Sequence, residues 1–264
     1  MNEILIPRPA ATVLTLRDRP SGFEVLMLRR NLNSEFVGGA YVFPGGAVDE
    51  EDGGLDMRHY VLGVDDQGAS TRLSLAGGGL AYYVACLREL FEEAGLLIAC
   101  GADEEPVNLG DPAVMRRMAA HRRGLNDGSL TLFQVLKSEG LVLDLRGLAY
   151  LAHWVTPVGP PRRYDTRFFV VLAPDDQRAA HDDGETIEEH WLRPKDALAA
   201  HRDGDFTMIY PTIRNLQAVA DFATAREVLA YANSLTDIVC VQPRMVMRGG
   251  EAVIVLPGDE GFDD

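Results

Sequence analysis

The chain has 264 residues, 47% of them hydrophobic, and a formal net charge of −15. That length allows one large or two modest domains whose core needs no covalent staples. The acidic balance excludes sequence-independent binding to duplex nucleic acid, because counterion release needs clustered Lys and Arg, but it leaves a small phosphorylated ligand open.

Cys86, Cys100 and Cys240 lie far apart without a C-x-x-C spacing. Neither a zinc knuckle nor a disulfide framework is legible, and all three are expected as buried thiols in a reducing compartment. Met1-Asn2-Glu3-Ile4 lacks a basic leader, and no run approaches the roughly 20 apolar residues of a membrane span. The expectation is a cytoplasmic protein with no membrane partner.

In chain order, Ala10 to Arg17 and Phe23 to Arg30 read as two β-rich strands joined by a turn at Asp18 to Gly22, with Arg29 and Arg30 at the end of the second. A third apolar run, Phe36 to Phe43, ends in Pro44-Gly45-Gly46, a turn that lets backbone approach a ligand closely. Asp49, Glu50, Glu51 and Asp52 make the next segment acidic. Gly53 to Leu80 is Gly-rich without a clear period, and a helical turn is expected only near Asp56 to Val61.

A helix is predicted from Leu80 or Ala81 to Gly95, with Leu96 to Ala99 continuing as strand. Further helices are predicted at Pro112 to Arg123 and Ser129 to Glu139, and strands at Leu141 to Leu145, Leu148 to Trp154 and Phe168 to Ala173. The acidic stretch Asp182 to Glu189 reads as a loop before a short strand ending at His190-Trp191-Leu192. Pro194 to His201, Thr212 to Phe222 and Thr224 to Leu235 carry helix starts, and Asp237 to Met247 and Glu251 to Leu256 read as extended. No repeat or linker divides the chain, so 1–264 is expected as one domain with a C-terminal elaboration over 195–264.

The chemistry concentrates in Arg88-Glu89-Leu90-Phe91-Glu92-Glu93-Ala94-Gly95-Leu96. On a helix, Glu89, Glu92 and Glu93 share one face, while Tyr83, Val84, Leu87, Leu90, Phe91 and Ala94 gather on the opposite one. Gly95 is placed to close the helix, which sets Glu92 and Glu93 in a last turn where the macrodipole disfavours negative charge. Clustered carboxylates there call for a cation. Oxygen-only ligands point to Mg²⁺ or Mn²⁺. A Glu-x-x-Glu-Glu run alone is commonly just a solvated helix face.

The turn Phe43-Pro44-Gly45-Gly46, Asp52 six residues after Gly46, and the string Arg88 to Leu96 together resemble the Nudix box. That motif runs G, five residues, E, seven residues, then R-E-U-x-E-E-x-G-U, with U aliphatic. The second half matches at every fixed position. The first half departs in having Asp52 for Glu, and in placing 35 residues between Asp52 and Arg88 where the motif has seven, an insertion of about 28 within 53–80. With Trp154-Val155-Thr156-Pro157 and Pro161 to Phe169 downstream, the chain looks like the branch of Nudix proteins that includes peroxisomal coenzyme A and acyl-CoA diphosphatases.

The resemblance implies an α+β fold, a Nudix α/β/α sandwich with a mixed central sheet, an insertion inside the box and a helical C-terminal elaboration. It implies hydrolysis of a nucleoside diphosphate linked to another group, with coenzyme A or its thioesters favoured. ADP-ribose or NADH hydrolysis and a non-catalytic ligand sensor are the alternatives. Carried over residue by residue, Glu89, Glu92, Glu93 and the carbonyl of Gly45 would hold Mg²⁺ or Mn²⁺. Arg88 would turn away from that edge and pair with an acidic residue of the loop. Arg29 and Arg30 stand where they could clamp a phosphate or simply end an exposed strand, and Arg163, Asp165 and Arg167 would either contact substrate, with Gly46, or form a structural ion pair. The proton acceptor stays open between Glu89 and the later carboxylates Glu185, Glu188 and Glu189. The partner is a small-molecule nucleotide, a homodimer is left open, and Phe262-Asp263-Asp264 carries no peroxisomal address.

Overall fold

A computed structural model describes residues 5–33, 37–182, 184–249, 251–259 and 262. Met1 to Ile4, Phe36, Asp183, Asp263 and Asp264, which the expectations above touch, lie outside them. The strands are β1 (Arg8–Arg19), β2 (Gly22–Arg30), β3 (Tyr41–Val42), β4 (Gly45–Ala47), β5 (Val61–Leu62), β6 (Ala99–Cys100), β7 (Val142–Asp144), β8 (Ala149–Val155), β9 (Tyr164–Leu172), β10 (Thr186–Leu192), β11 (Cys240–Val241), β12 (Arg244–Arg248) and β13 (Glu251–Val255). The helices are α1 (Asp66–Arg72), α2 (Gly79–Ala94), α3 (Pro112–Asn126), α4 (Leu132–Glu139), α5 (Pro194–Asp203), α6 (Tyr210–Val219) and α7 (Ala225–Ser234), with 3₁₀ turns at Glu50–Gly53 and Met57–His59.

The central sheet runs β10-β2-β1-β9-β8-β11, with β3 added to β2 and β4 to β1. It is mixed: β9 lies parallel to β1 and β11 parallel to β8, while the other pairings are antiparallel. Being central, β1 buries both faces. Ala11 and Val13 join a core shared with α2, α3 and α4, whereas Leu14 and Leu16 join a second core shared with α5, α6 and α7. The result is the α/β/α sandwich of an α+β protein. Residues 195–264, expected as an elaboration, supply its second helical layer. A three-stranded sheet, β5-β7-β6, and the hairpin β12–β13 stand outside the main sheet.

Four expectations need correction. The Gly-rich stretch contains a helix, α1, whose Asp65 side chain caps it by accepting from the Gly68 N–H at 2.8 Å. Asp182 to Glu189 is not all loop: β10 begins at Thr186 and pairs with β2, so Glu188 and Glu189 sit on a strand with side chains on opposite faces. Leu96 to Ile98 is not extended sheet, and β6 starts at Ala99. Of the cysteines, Cys86 and Cys100 are buried and Cys240 is exposed.

Candidate active site

The split pairing of β1 builds the site. Its second half, Leu16 to Arg19, pairs with β2, and its first, Ala10 to Thr12, pairs with β4, so the chain bends through Pro44-Gly45-Gly46 beside α2. The bend requires glycine at position 45, where a Cβ would fall 2.6 Å from the Thr12 Cα; a Cβ on Gly46 would fall 2.6 Å from the Glu89 carboxyl carbon and push that side chain aside.

Helix α2 is held at both ends. At its start, Asp66 of α1 accepts from the N–H groups of Gly78 (3.2 Å) and Leu80 (3.1 Å), and the Ser70 hydroxyl oxygen accepts from that of Gly79 (2.9 Å). Residues inside the box insertion therefore satisfy donors that a helix N-terminus leaves open. At its end, Gly95 is left-handed (φ 70°), and the Arg122 guanidinium donates to the Glu92 carbonyl oxygen at 2.8 Å. Part of the positive charge expected at this terminus thus comes from the protein itself.

The three glutamates are not arranged as one open edge. Glu93 is buried, and its carboxylate accepts from the Gly45 N–H at 2.9 Å. Glu89 faces the bend and lines a cleft of about 590 Å³. Glu92 lines a separate cavity of about 270 Å³ shared with Asp49 and Asp52. Between them stands Arg88, which corrects the expectation that it turns away. Its Nη1 donates to Glu89 at 2.9 Å and to Glu92 at 3.0 Å, while Nε and Nη2 grip buried Asp52 at 2.9 and 3.0 Å and Nη2 also reaches the Ala47 carbonyl oxygen. Asp52, standing where the box has Glu, is thereby an anchor for the loop rather than an open ligand.

Burial, with Glu92 and Glu185 adding like charge against the pull of Arg88, lifts the Glu89 carboxyl to about 7. Burial likewise pushes Glu93 well above the ordinary carboxylate range, with Glu89 and Glu185 reinforcing it, and raises Glu92 against the opposing charge of Arg88. Burial also disfavours the charge of Arg88, but Asp52, Glu89 and Glu92 outweigh it and hold the guanidinium protonated.

Among the described residues no three Asp, Glu, His or Cys side chains converge in a geometry that could hold a metal ion. Arg88 and the Gly45 N–H engage the oxygens such an ion would take. The chemistry of the donors nevertheless fits a hard divalent cation: the groups are carboxylates, desolvated, and mutually repelling, so added positive charge is favoured there.

The cleft brings some of the remaining candidates together. Arg30 and Glu185 both line it and pair with each other at 2.8 Å, although they lie 155 residues apart in sequence. Gly46 lines it too. Arg29 and Glu188 pair at 2.8 Å outside it, and Glu188 also accepts from the Tyr41 hydroxyl at 3.3 Å. Bonds from His190 and Arg29 hold the Glu188 carboxyl below its ordinary range, which makes it a poor proton acceptor. Glu189 turns to the other face of β10, against His181.

Arg163 and Arg167 are not in the cleft. Arg163 is buried and donates to the carbonyl oxygens of Thr156 and Pro157, both at 3.1 Å. Arg167 follows the alternation of β9: Tyr164, Thr166 and Phe168 face the cleft, while Asp165 and Arg167 face away, with Arg167 over the Tyr82 ring at 5.4 Å and bonded to Asp165. The cleft lining that local sequence patterns missed, Trp154, Tyr210, Met245 and Ile254, comes from four separate elements. A larger open depression of about 1090 Å³ lies over the insertion, lined from Arg58 to Leu80 and lacking all three box glutamates.

A glycine bend packed against an Arg-Glu-x-x-Glu-Glu helix, on a mixed sheet covered on both faces, defines a Nudix hydrolase. The crystal structure of a NUDIX hydrolase from Alicyclobacillus acidocaldarius superposes with a TM-score of 0.71 at 27% sequence identity, covering 85% of this chain and 96% of that one. The chain belongs to the family described as the NUDT19 Nudix domain, whose model matches residues 56–219. It is similar to proteins named acyl-coenzyme A diphosphatase NUDT19 from Gallus gallus (25% identity, 93% of this chain and 74% of that one) and Homo sapiens (23%, 96% and 76%). A putative nudix hydrolase 7 from Caenorhabditis elegans is 26% identical over 91% of this chain and 70% of its own length. The chain is a Nudix diphosphatase. Among the described residues no helix is long and apolar enough to cross a membrane.

Proposed function

We propose that the protein hydrolyses the diphosphate bond of coenzyme A or its thioesters, releasing adenosine 3',5'-bisphosphate and the matching phosphopantetheine, with Mg²⁺ or Mn²⁺ at the box glutamates. The observation that carries the site is the meeting of Glu89, lifted to about 7 by burial, and buried Glu93, raised well above the ordinary carboxylate range, with Gly45 and Gly46 at the polar end of the cleft. The names of the relatives support the substrate.

In this reading Glu89, Glu92 and Glu93 would hold a divalent cation, whose chemistry when bound would be charge neutralisation on the diphosphate and a lowered pKa for water. Glu89 and, beside it on the cleft wall, Glu185 are the candidate proton acceptors. Arg30 supplies a fork of donors suited to a phosphate, and Glu185 holds it in place. Gly45 and Gly46 let the backbone close on the substrate without a side chain between. Arg88 and Asp52 position the glutamates. Residues 1–264 act as one domain, with 53–80 bracing α2.

The test is hydrolysis of coenzyme A, acetyl-CoA and ADP-ribose with Mg²⁺ or Mn²⁺, products resolved by mass. Adenosine 3',5'-bisphosphate from the first two supports the proposal. Turnover of ADP-ribose alone contradicts it.

A further inference from the structure

The cleft is chemically two-ended. Glu89, Arg30, Glu185 and the glycine bend occupy one end, while apolar walls form the other. That far wall includes Pro157, Pro160, Pro211 and Pro243, none of which carries an N–H. A nucleobase or ribose is read by hydrogen-bond donors and acceptors, which Thr156, Arg162, Tyr164 and Tyr210 supply on this lining and the four proline rings do not. The proline surface, together with the hairpin residues beside it, suits an aliphatic chain.

The hairpin β12–β13 completes this end. Met245 and Ile254 are direct cross-strand partners, so their side chains share one face, and both line the cleft. They remain 45% and 44% exposed, an apolar pair left open on the cleft side. The hairpin is seated by buried Val255 and by contact with the β8–β9 connection, where a Cβ on Gly159 would lie 3.6 Å from the Met245 sulfur.

Resting on the substrate reading above, we propose that this end of the cleft is the subsite for the acyl chain of a coenzyme A thioester, and that Met245 and Ile254 set the chain-length preference. With the diphosphate at the glutamates, the chain is directed to the far wall and covers the exposed pair. The cleft volume of about 590 Å³ falls within the range that takes a small organic ligand. The flexible methionine lets the wall adapt to chains of different length.

The experiment measures KM for acetyl-, butyryl-, hexanoyl- and octanoyl-CoA with Mg²⁺, in the natural chain and in a Met245→Ser, Ile254→Ser double variant. Burying one methylene corresponds to about fourfold in affinity, so KM should fall by up to about fourfold per added carbon until the wall is filled. The double variant should flatten that gradient, and Met247→Ser, an exposed hairpin residue outside the cleft lining, should keep it. Met245→Gln, nearly the same size, serves if the double variant fails to fold. Calorimetry of octanoyl-CoA against free CoA in excess chelator reads the same preference without turnover. A chain-independent KM in an enzyme that cleaves CoA overturns the subsite and leaves the substrate reading standing, as does a gradient that survives in the folded variants. No cleavage of CoA or any thioester overturns the substrate reading and this subsite with it.

Discussion

At the residue scale the site depends on where backbone can approach a carboxylate. Gly46 has no room for a Cβ beside Glu89, so Gly46→Ala must displace that carboxylate. Steady-state assay should show kcat reduced by about tenfold or more, a loss of about 1.4 kcal/mol in transition-state stabilisation, while thermal unfolding shifts little. Unchanged kcat would separate Glu89 from the chemistry. Arg88 is a different kind of residue, because it is buried with Asp52 and bridges Glu89 and Glu92. Arg88→Ala would strand a buried carboxylate and should cost about 3–5 kcal/mol in urea unfolding. Of this arrangement, the helix string and the Pro-Gly-Gly turn were legible because each is a local pattern. The direction of Arg88 was not. A wheel assigns each residue to a sector, but a long guanidinium reaches back across its own helix to neighbours one and four residues on.

At the element scale, the box insertion is a brace. Asp66 and Ser70 of α1 satisfy the first N–H groups of α2, and Gly79 permits the contact, since a Cβ there would meet the Ala69 carbonyl carbon at 2.6 Å. Asp66→Ala should therefore destabilise by about 1 kcal/mol, read as a lower urea midpoint at unchanged slope. The insertion lacks helical periodicity, so its helix could be read only from the cap at Asp65 and Gly68, and its role only from the three-dimensional contact. Strand parity sets the direction of the side chains on β9. Arg167 is turned from the cleft by the alternation of β9, and there it holds Asp165, whose pairing with His153 brings β8 and β9 together. Burial would raise the Asp165 carboxyl, but His153 and Arg167 outweigh it and hold it below its ordinary value. A depressed folded-state pKa contributes stability that is present above the unfolded value near ~3.9 and is lost as pH falls through the lower folded value. Asp165→Asn should remove that part of the acid dependence, so the difference in urea midpoint between natural and variant chains should shrink below about pH 4. A difference that stays constant across that window would contradict the assignment.

At the scale of the whole molecule, two helical layers on one mixed sheet set a polar and an apolar end along a single cleft. The sandwich was legible from strand runs and helix starts because apolar patterning is local. The meeting of Arg30 with Glu185, and of the C-terminal hairpin with the β8–β9 connection, was not, because each is fixed by pairing between distant strands. Hydrolysis is assigned to the glutamates beside the glycine bend. The most direct measurement is turnover of coenzyme A with Mg²⁺ by Glu93→Gln, in protein shown by its melting temperature to be folded. The amide can still accept the Gly45 N–H but carries no negative charge, and kcat should fall by about 100-fold or more, equivalent to about 2.7 kcal/mol. Turnover within about twofold of the natural chain, at matched stability, would contradict the site assigned here.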